Sequence, residues 1–299
     1  MTGPEDGPYN QNPLEPSDSP DPILRRVVPP ARLVLYLSGL HGALRRLGNL
    51  RGCVVLMYHA VSEPLAARRY PYAITPARFE SHLRFLRRRG IPIRPLADVA
   101  EDIRAGKPAE RLAAAITFDD GWRDNFTSAY PLLRKYSAPA TFFVTADWIG
   151  REEPPVPGLS DVRIPGRAMI GWEELRRAAA EGLVAVGSHG RRHIALTTLP
   201  PEEARAEVGE AKRHLEDGLG RPVSLFSYPA GRFDRNVMDF VREAGFRAAF
   251  TSIPRSARTA DDPFALGRFD AARYTGGRKR RLAALLNMAY LATALSLGR

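Results

Sequence analysis

Short apolar runs separated by amphipathic stretches fill the middle of the chain. Runs at residues 53–58, 91–93, 113–118, 140–145, 183–188, 223–228 and 246–252 have the length and content of buried strands. Helical periodicity lies between them. Thr75-Pro76 opens a helix through Phe79, Leu83, Phe85 and Leu86, with Thr as N-cap and proline in the first turn. His82 reads as one of its solvated polar positions. A second helix covers residues 96–105 and is ended by Gly106 and Pro108; a third lies around residues 130–136. Trp172 opens a fourth that Gly182 closes, residues 201–219 form a long fifth with His214 on its surface, and residues 236–244 form a sixth.

Seven strand candidates alternating with helices argue for parallel βαβ units. The marked polar residues fall just after strands: His59, Asp119-Asp120, His189 and Pro229-Ala230-Gly231. Convergence at one rim is the habit of a β/α barrel, whose catalytic groups gather at the C-terminal ends of its strands. An open doubly wound sheet would need a glycine-rich phosphate loop after the first strand, where this chain has Tyr58-His59-Ala60-Val61.

The flanks differ in character. Residues 1–30 are rich in Pro, Gly and acids, the composition of a disordered tail and not of a signal peptide. Residues 31–50 are apolar but interrupted by His41, Arg45 and Arg46, which suits a packing or interfacial helix. The barrel domain is expected over residues 51–275. At 276–299 the cluster Arg278-Lys279-Arg280-Arg281 precedes an uncharged Ala/Leu-rich helix shorter than the roughly 20 residues needed to span a bilayer. That tail suits either packing on the barrel or peripheral contact with an anionic membrane. On these features the protein is expected in the cytoplasm or at the inner membrane face. A Pro- and Gly-rich stretch at 151–166 reads as a rim or lid loop.

Composition alters this picture little. The formal charge of +11 is carried mostly by Arg. No zinc-finger spacing, helix-turn-helix or aromatic-interleaved basic stripe accompanies it, so nucleic acid is not an expected partner. Cys53 is the single cysteine, which excludes an intrachain disulfide.

The chemistry lies in two stretches. His189 and His193 stand four residues apart after a strand and can aim at one point. With one carboxylate they make a two-His, one-carboxylate set that holds a divalent metal and leaves positions open. Asp119-Asp120 supplies that carboxylate and a second one free to act as a base on water. Spacing alone does not say which does which.

Thr117-Phe118-Asp119-Asp120-Gly121, Ser188-His189-Gly190-Arg191-Arg192-His193 and Phe226-Ser227-Tyr228-Pro229-Ala230-Gly231 resemble the first three motifs of the polysaccharide deacetylases, the NodB-homology or carbohydrate esterase 4 family. Met57-Tyr58-His59-Ala60-Val61 and Trp172-Glu173-Glu174-Leu175 are also similar to that family, and the resemblance covers residues 51–272. It implies an irregular (β/α)7 barrel and metal-dependent removal of acetyl groups from a carbohydrate. It further implies Asp119 as general base, Asp120, His189 and His193 as ligands of a divalent metal, usually zinc, and the Ala230 N–H at the oxyanion. Tyr228, Pro229 and Trp172 would then contact substrate.

The chain departs from the family pattern in three places, one of them Ala230, where the third motif often has an aromatic after the proline. Ser227 stands where the third motif often has Arg, and no His follows His214 to serve as the late general acid. His59 is the candidate for that role, beside the alternative of a buried His bonded to a carbonyl. The segment 262–268 resembles the Leu-x-Arg late region of a subgroup; Arg268 is read as an ordinary surface arginine, with tuning of a site carboxylate as the alternative. The rival functional readings are hydrolysis of a non-sugar C–N bond on the same fold, and a non-catalytic carbohydrate- or membrane-binding relative.

Overall fold

The computed structural model describes residues 51–62, 70, 72–153 and 168–272. The expected tail (1–30), lead-in helix (31–50) and C-terminal helix (276–299) lie outside them, as does most of the 151–166 loop. Seven strands form one sheet: β1 (Gly52–Tyr58), β2 (Leu112–Phe118), β3 (Ala140–Val144), β4 (Val184–Ser188), β5 (Leu225–Ser227), β6 (Ala248–Phe250) and β7 (Phe269–Asp270). Their order is β6-β5-β4-β3-β2-β1-β7, and every pair is parallel. The helices are α1 (Pro76–Arg88), α2 (Leu96–Arg104), α3 (Tyr130–Tyr136), α4 (Trp172–Ala180), α5 (Pro201–Leu219) and α6 (Arg235–Glu243). This is the irregular seven-stranded α/β barrel expected of the NodB type, left unpaired between β6 and β7. None of the described helices is long and apolar enough to cross a membrane.

β1, β2 and β3 are mostly apolar because both faces are covered. In β1, Val54, Leu56 and Tyr58 belong to the large core shared with the helices. Cys53 and Val55 face the other way, with Ala113 and Ala115 of β2, Phe143 of β3 and Phe250 of β6. Leu96, Val99, Ala100 and Ile103 of α2 join this second cluster. The small alanines of β2 leave room for Phe143 and Phe250. Burial pushes the Cys53 thiol up to about 12, so the native protein should resist a thiol reagent at pH 8 and react fully once unfolded. Modification of folded protein at the unfolded rate would contradict this packing.

Seven strands were expected and seven are present, but one expectation was misplaced. Residues 91–93 provide only a single bridge, Ile93 to Ala114. Ile93 sits beside β2 below the point where β3 joins at Ile116. Pro92 and Pro95 on either side lack the N–H groups needed to extend a ladder. The seventh strand is β7, a two-residue element beside Leu56 and Met57 that is too short to carry a pattern.

The helix starts follow their local chemistry. Thr75 accepts a bond from the Arg78 N–H at 3.3 Å, and Pro76 takes the first helical position. His82 is not solvated. It is 4% exposed and shares a 3.0 Å hydrogen bond with the Tyr58 hydroxyl. Phe79, His82, Leu83 and Leu86 repeat at helical spacing, so position 82 lies on the buried stripe.

Burial pushes the His82 imidazole down to about 4. The unfolded chain therefore binds the proton first as pH falls. His82 stabilises the fold fully above its ordinary value near 6.5, and that contribution is lost between 6.5 and 4, at most about 3 kcal/mol. Unfolding free energies measured across this window should fall more steeply in the wild type than in His82→Gln. Parallel curves would contradict a neutral, buried imidazole.

Candidate metal centre

The C-terminal ends of β1, β2, β4 and β5 deliver the predicted residues to one rim. β2 ends at Phe118, and Asp119 continues its line with its N–H bonded to the Tyr58 carbonyl at 2.9 Å. Asp120 then turns into the left-handed region at φ 74° and Gly121 follows at φ 87°. A Cβ on Gly121 would come within 3.1 Å of Val144 Cγ1, so position 121 needs glycine. The reversal aims two successive carboxylates into one cleft.

β4 ends at Ser188 and releases His189, whose N–H bonds the Val144 carbonyl. Gly190 (φ 75°) packs its α-carbon against Pro229, and the loop ends at His193, φ 63°. Of the four non-glycine residues with positive φ among the described residues, Asp120, His193 and Ala230 stand at this rim. Such conformations cost on the order of 1–3 kcal/mol each and mark backbone bent to place a group.

His189 Nδ1 lies 2.9 Å from the Ser227 carbonyl. A carbonyl only accepts, so Nδ1 carries the proton and Nε2 presents its lone pair to the cleft. Burial pushes this ring down to about 4, opposed in part by the Asp119 charge, and keeps it neutral, the form that binds metal. Asp120 Oδ1 is buried without a hydrogen bond and lies 3.6 Å from His189 Nε2 and 3.4 Å from His193 Nε2. The ligand atoms of Asp120, His189 and His193 all fall within 4.8 Å of one another. A buried carboxylate oxygen without a donor, facing two imidazole nitrogens, fits a divalent cation.

The other oxygen of Asp120 is occupied. Oδ2 accepts from Trp122 Nε1 and Tyr70 Oη, each at 3.1 Å. Burial would raise this carboxyl, but His193, His59 and His189 around it outweigh burial and hold it well below the usual range. For His193, burial works against the charged ring while the Asp120 carboxylate prevails and raises it. The His193 ring also rests against Trp148, centroids 4.9 Å apart.

Asp119, its Oδ2 3.9 Å from His189 Nε2, is bound by Arg268, and here a sequence expectation is overturned. Arg268 is 1% exposed and grips both Asp119 oxygens, Nη1 to Oδ1 at 2.7 Å and Nη2 to Oδ2 at 2.6 Å. The same guanidinium donates to Thr117 Oγ1, Ser227 Oγ and the Thr251 carbonyl. Burial would raise the Asp119 carboxyl, but the Arg268 charge overrides it, so the group is held ionised below the ordinary carboxylate range. The departure at position 227 is thereby resolved: a serine there leaves space for a guanidinium arriving from the β7 side.

The remaining predicted residues divide. His59 stands at the end of β1 near both aspartates, its ring against Tyr72 and its buried Nδ1 without a hydrogen bond. Ala230, exposed at φ 55°, sits on the tight turn after β5. Tyr228 is fully buried, donates to the Phe264 carbonyl at 2.8 Å and stacks on Phe233, which makes it a packing residue and not a substrate contact. Pro229 is buried against Gly190 and shapes the rim from below. Trp172 is not brought to the cleft; it packs on Gly218 and His214 of α5. Sequence reasoning missed Tyr70, Trp122 and Trp148. Trp122 directly follows the Asp-Asp-Gly turn, whereas Tyr70 carries no local signal.

The sequence profile described as polysaccharide deacetylase matches residues 106–249. YxkH of Bacillus subtilis (strain 168), a polysaccharide deacetylase by name, is 25% identical over 214 residues, covering 72% of this chain and 69% of its own length. The poly-β-1,6-N-acetyl-D-glucosamine N-deacetylase of Escherichia coli (strain K12) is 28% identical over 138 residues, 46% of this chain and 20% of that protein. Among solved structures, IcaB from Ammonifex degensii superposes with a TM-score of 0.65 at 27% identity, covering 81% of this chain and 97% of that one.

Proposed function

The chain belongs to the polysaccharide deacetylase family of hydrolases, and from that premise we propose that it removes N-acetyl groups from an N-acetylglucosamine polymer with Asp120, His189 and His193 holding a divalent metal, zinc first. The observation that carries the reading is the unbonded Asp120 Oδ1 facing two imidazole nitrogens beside a separate, ionised Asp119. The substrate class rests on the Escherichia coli (strain K12) relative's name.

When bound, the cation supplies Lewis-acid polarisation of the amide carbonyl and makes a water molecule easier to deprotonate. Asp119, held anionic by Arg268, accepts from Arg268 and Ser227 at Oδ2 but from Arg268 alone at Oδ1, which retains a free lone pair and takes a proton from the attacking water as its oxygen bonds the carbonyl carbon. The Ala230 N–H on its strained turn is assigned to the developing oxyanion. The C–N bond then breaks, His59 gives a proton to the departing amine, and acetate and the free amino sugar leave. The unbonded Nδ1 of His59 supports that assignment.

The test is acetate release from β-1,6-linked N-acetylglucosamine oligomers by zinc-loaded and by chelated protein, with a His189→Ala/His193→Ala control. Release that requires metal and is absent from the control is the expected result. Stoichiometric zinc without release would overturn the substrate, and absence of both would overturn the catalytic reading.

A further inference from the structure

Between the two histidines of the centre lies Arg192, whose backbone nitrogen and side chain are both held by one buried acid on a different element. Glu207 is on α5, on the same face as the buried Ala204, Val208, Ala211 and Leu215. A carboxylate in that position has no role in an apolar stripe. Its side chain is 1% exposed, and among the described residues its ion-pair partner is an arginine. Oε1 accepts from the Arg192 backbone N–H at 2.5 Å and Oε2 from Arg192 Nε at 2.8 Å.

The rest of the loop is pinned on its other side. The carbonyls of Gly190 and Arg191 accept from the N–H groups of Ala146 and Asp147 at 3.1 and 2.9 Å. The Arg191 guanidinium bridges Asp147 and Glu210 of α5. His189 is fixed independently, by the end of β4 and the Ser227 carbonyl. His193 is not on a strand. Its left-handed φ of 63° is set by the backbone that immediately precedes it, and Glu207 holds that backbone.

We propose that Glu207 is a positioning residue for the metal centre: by binding both the main chain and the side chain of Arg192, it sets the left-handed turn that swings His193 Nε2 toward Asp120 Oδ1. The proposal rests on the metal-site reading above, and it assigns the geometry of the third ligand to a residue that touches neither metal nor substrate. Outer partners that orient a ligand typically alter metal affinity by about 10- to 100-fold when removed.

The experiment compares full-length wild type with Glu207→Gln, Glu207→Ala and Arg192→Met. Each is stripped of metal and titrated with Co2+ while its visible ligand-field spectrum is followed, and Zn2+ affinity is measured against a competing chelator. Glu207→Ala should bind Zn2+ about 10- to 100-fold more weakly, with an altered Co2+ spectrum. Glu207→Gln, which can still accept from the backbone N–H, should fall between it and the wild type. Arg192→Met keeps that same bond to the main chain and should also be intermediate, which preserves the test if Glu207→Ala does not fold. A merely structural role would lower the melting temperature while leaving the spectrum and affinity of folded protein unchanged, and that result in Glu207→Gln and Arg192→Met would overturn the proposal. Wild-type protein that takes up neither Co2+ nor Zn2+ would overturn the metal reading itself, an outcome separate from the first.

Discussion

Asp119→Asn should lower turnover by about 10³-fold while Zn2+ still binds at close to wild-type affinity, since a positioned general base contributes roughly 10²–10⁴-fold. The substitution keeps the size of the side chain and one acceptor for Arg268, but an amide does not take up the proton. It also turns an NH2 group toward a guanidinium that is buried with it, so some stability is lost as well. The discriminating measurement is therefore the pairing of kcat with a chelator-competition titration. Loss of kcat with metal retained assigns the proton transfer to Asp119. Full turnover in the variant would place the base elsewhere, and loss of metal would mean that the two aspartates do not divide their roles as described.

Arg268→Met should cost about 3–5 kcal/mol of stability, because it strands a buried carboxylate without its counter-charge. The five bonds the guanidinium makes join Asp119 and Thr117 at the end of β2, Ser227 of β5 and Thr251 after β6. The sign of the accompanying pKa change follows from the two opposed influences on Asp119. Burial raises it and Arg268 lowers it, so without Arg268 the carboxyl rises and becomes protonated at higher pH than in the wild type. The acid limb of the rate profile should move upward in pH, and part of the lost activity should return on the alkaline side. Asp119→Asn/Arg268→Met removes both charges and should recover much of the stability lost in the single Arg268 variant, with no recovery of turnover. Thermal unfolding of the four proteins of this cycle, with their rate profiles, checks both halves. Additive stability losses would mean that the pair is not coupled.

The elements legible in the sequence are those whose signal is local. β1, β2 and β3 announce themselves as apolar runs because a strand buried on both faces has no other solution. α1 is bounded by its own Thr-Pro cap, and the histidine pair and the aspartate pair were visible because each follows such a run. What escaped depends on partners distant in the chain. Arg268 looks like any arginine in its own segment; its burial is decided by Asp119, which lies 149 residues earlier. Tyr70 reaches Asp120 across 50 residues. β7 is two residues long and is a strand only because β1 lies beside it. His82 and Glu207 are a different kind of miss. Both sit at helical spacing among apolar neighbours, so the period alone places them inside, and polarity misled the reading of His82.

The unpaired junction between β6 and β7 bears on how the protein behaves at high concentration. An open parallel sheet ordinarily ends in two rows of free N–H and C=O groups, a template on which another chain can add a strand. Here the row on β6 is already engaged by irregular chain: the Ala249 N–H bonds the Pro263 carbonyl, the Leu266 N–H bonds the Ala249 carbonyl, and the Thr251 N–H bonds the Leu266 carbonyl. Lower down, Cys53 of β1 exchanges both backbone bonds with Ala257. The segment that carries Arg268 to the cleft thus also blocks edge-to-edge pairing, and β7 offers too few residues to seed it. Loosening that segment would put two liabilities on display together, an Asp119 without its counter-charge and an adhesive edge.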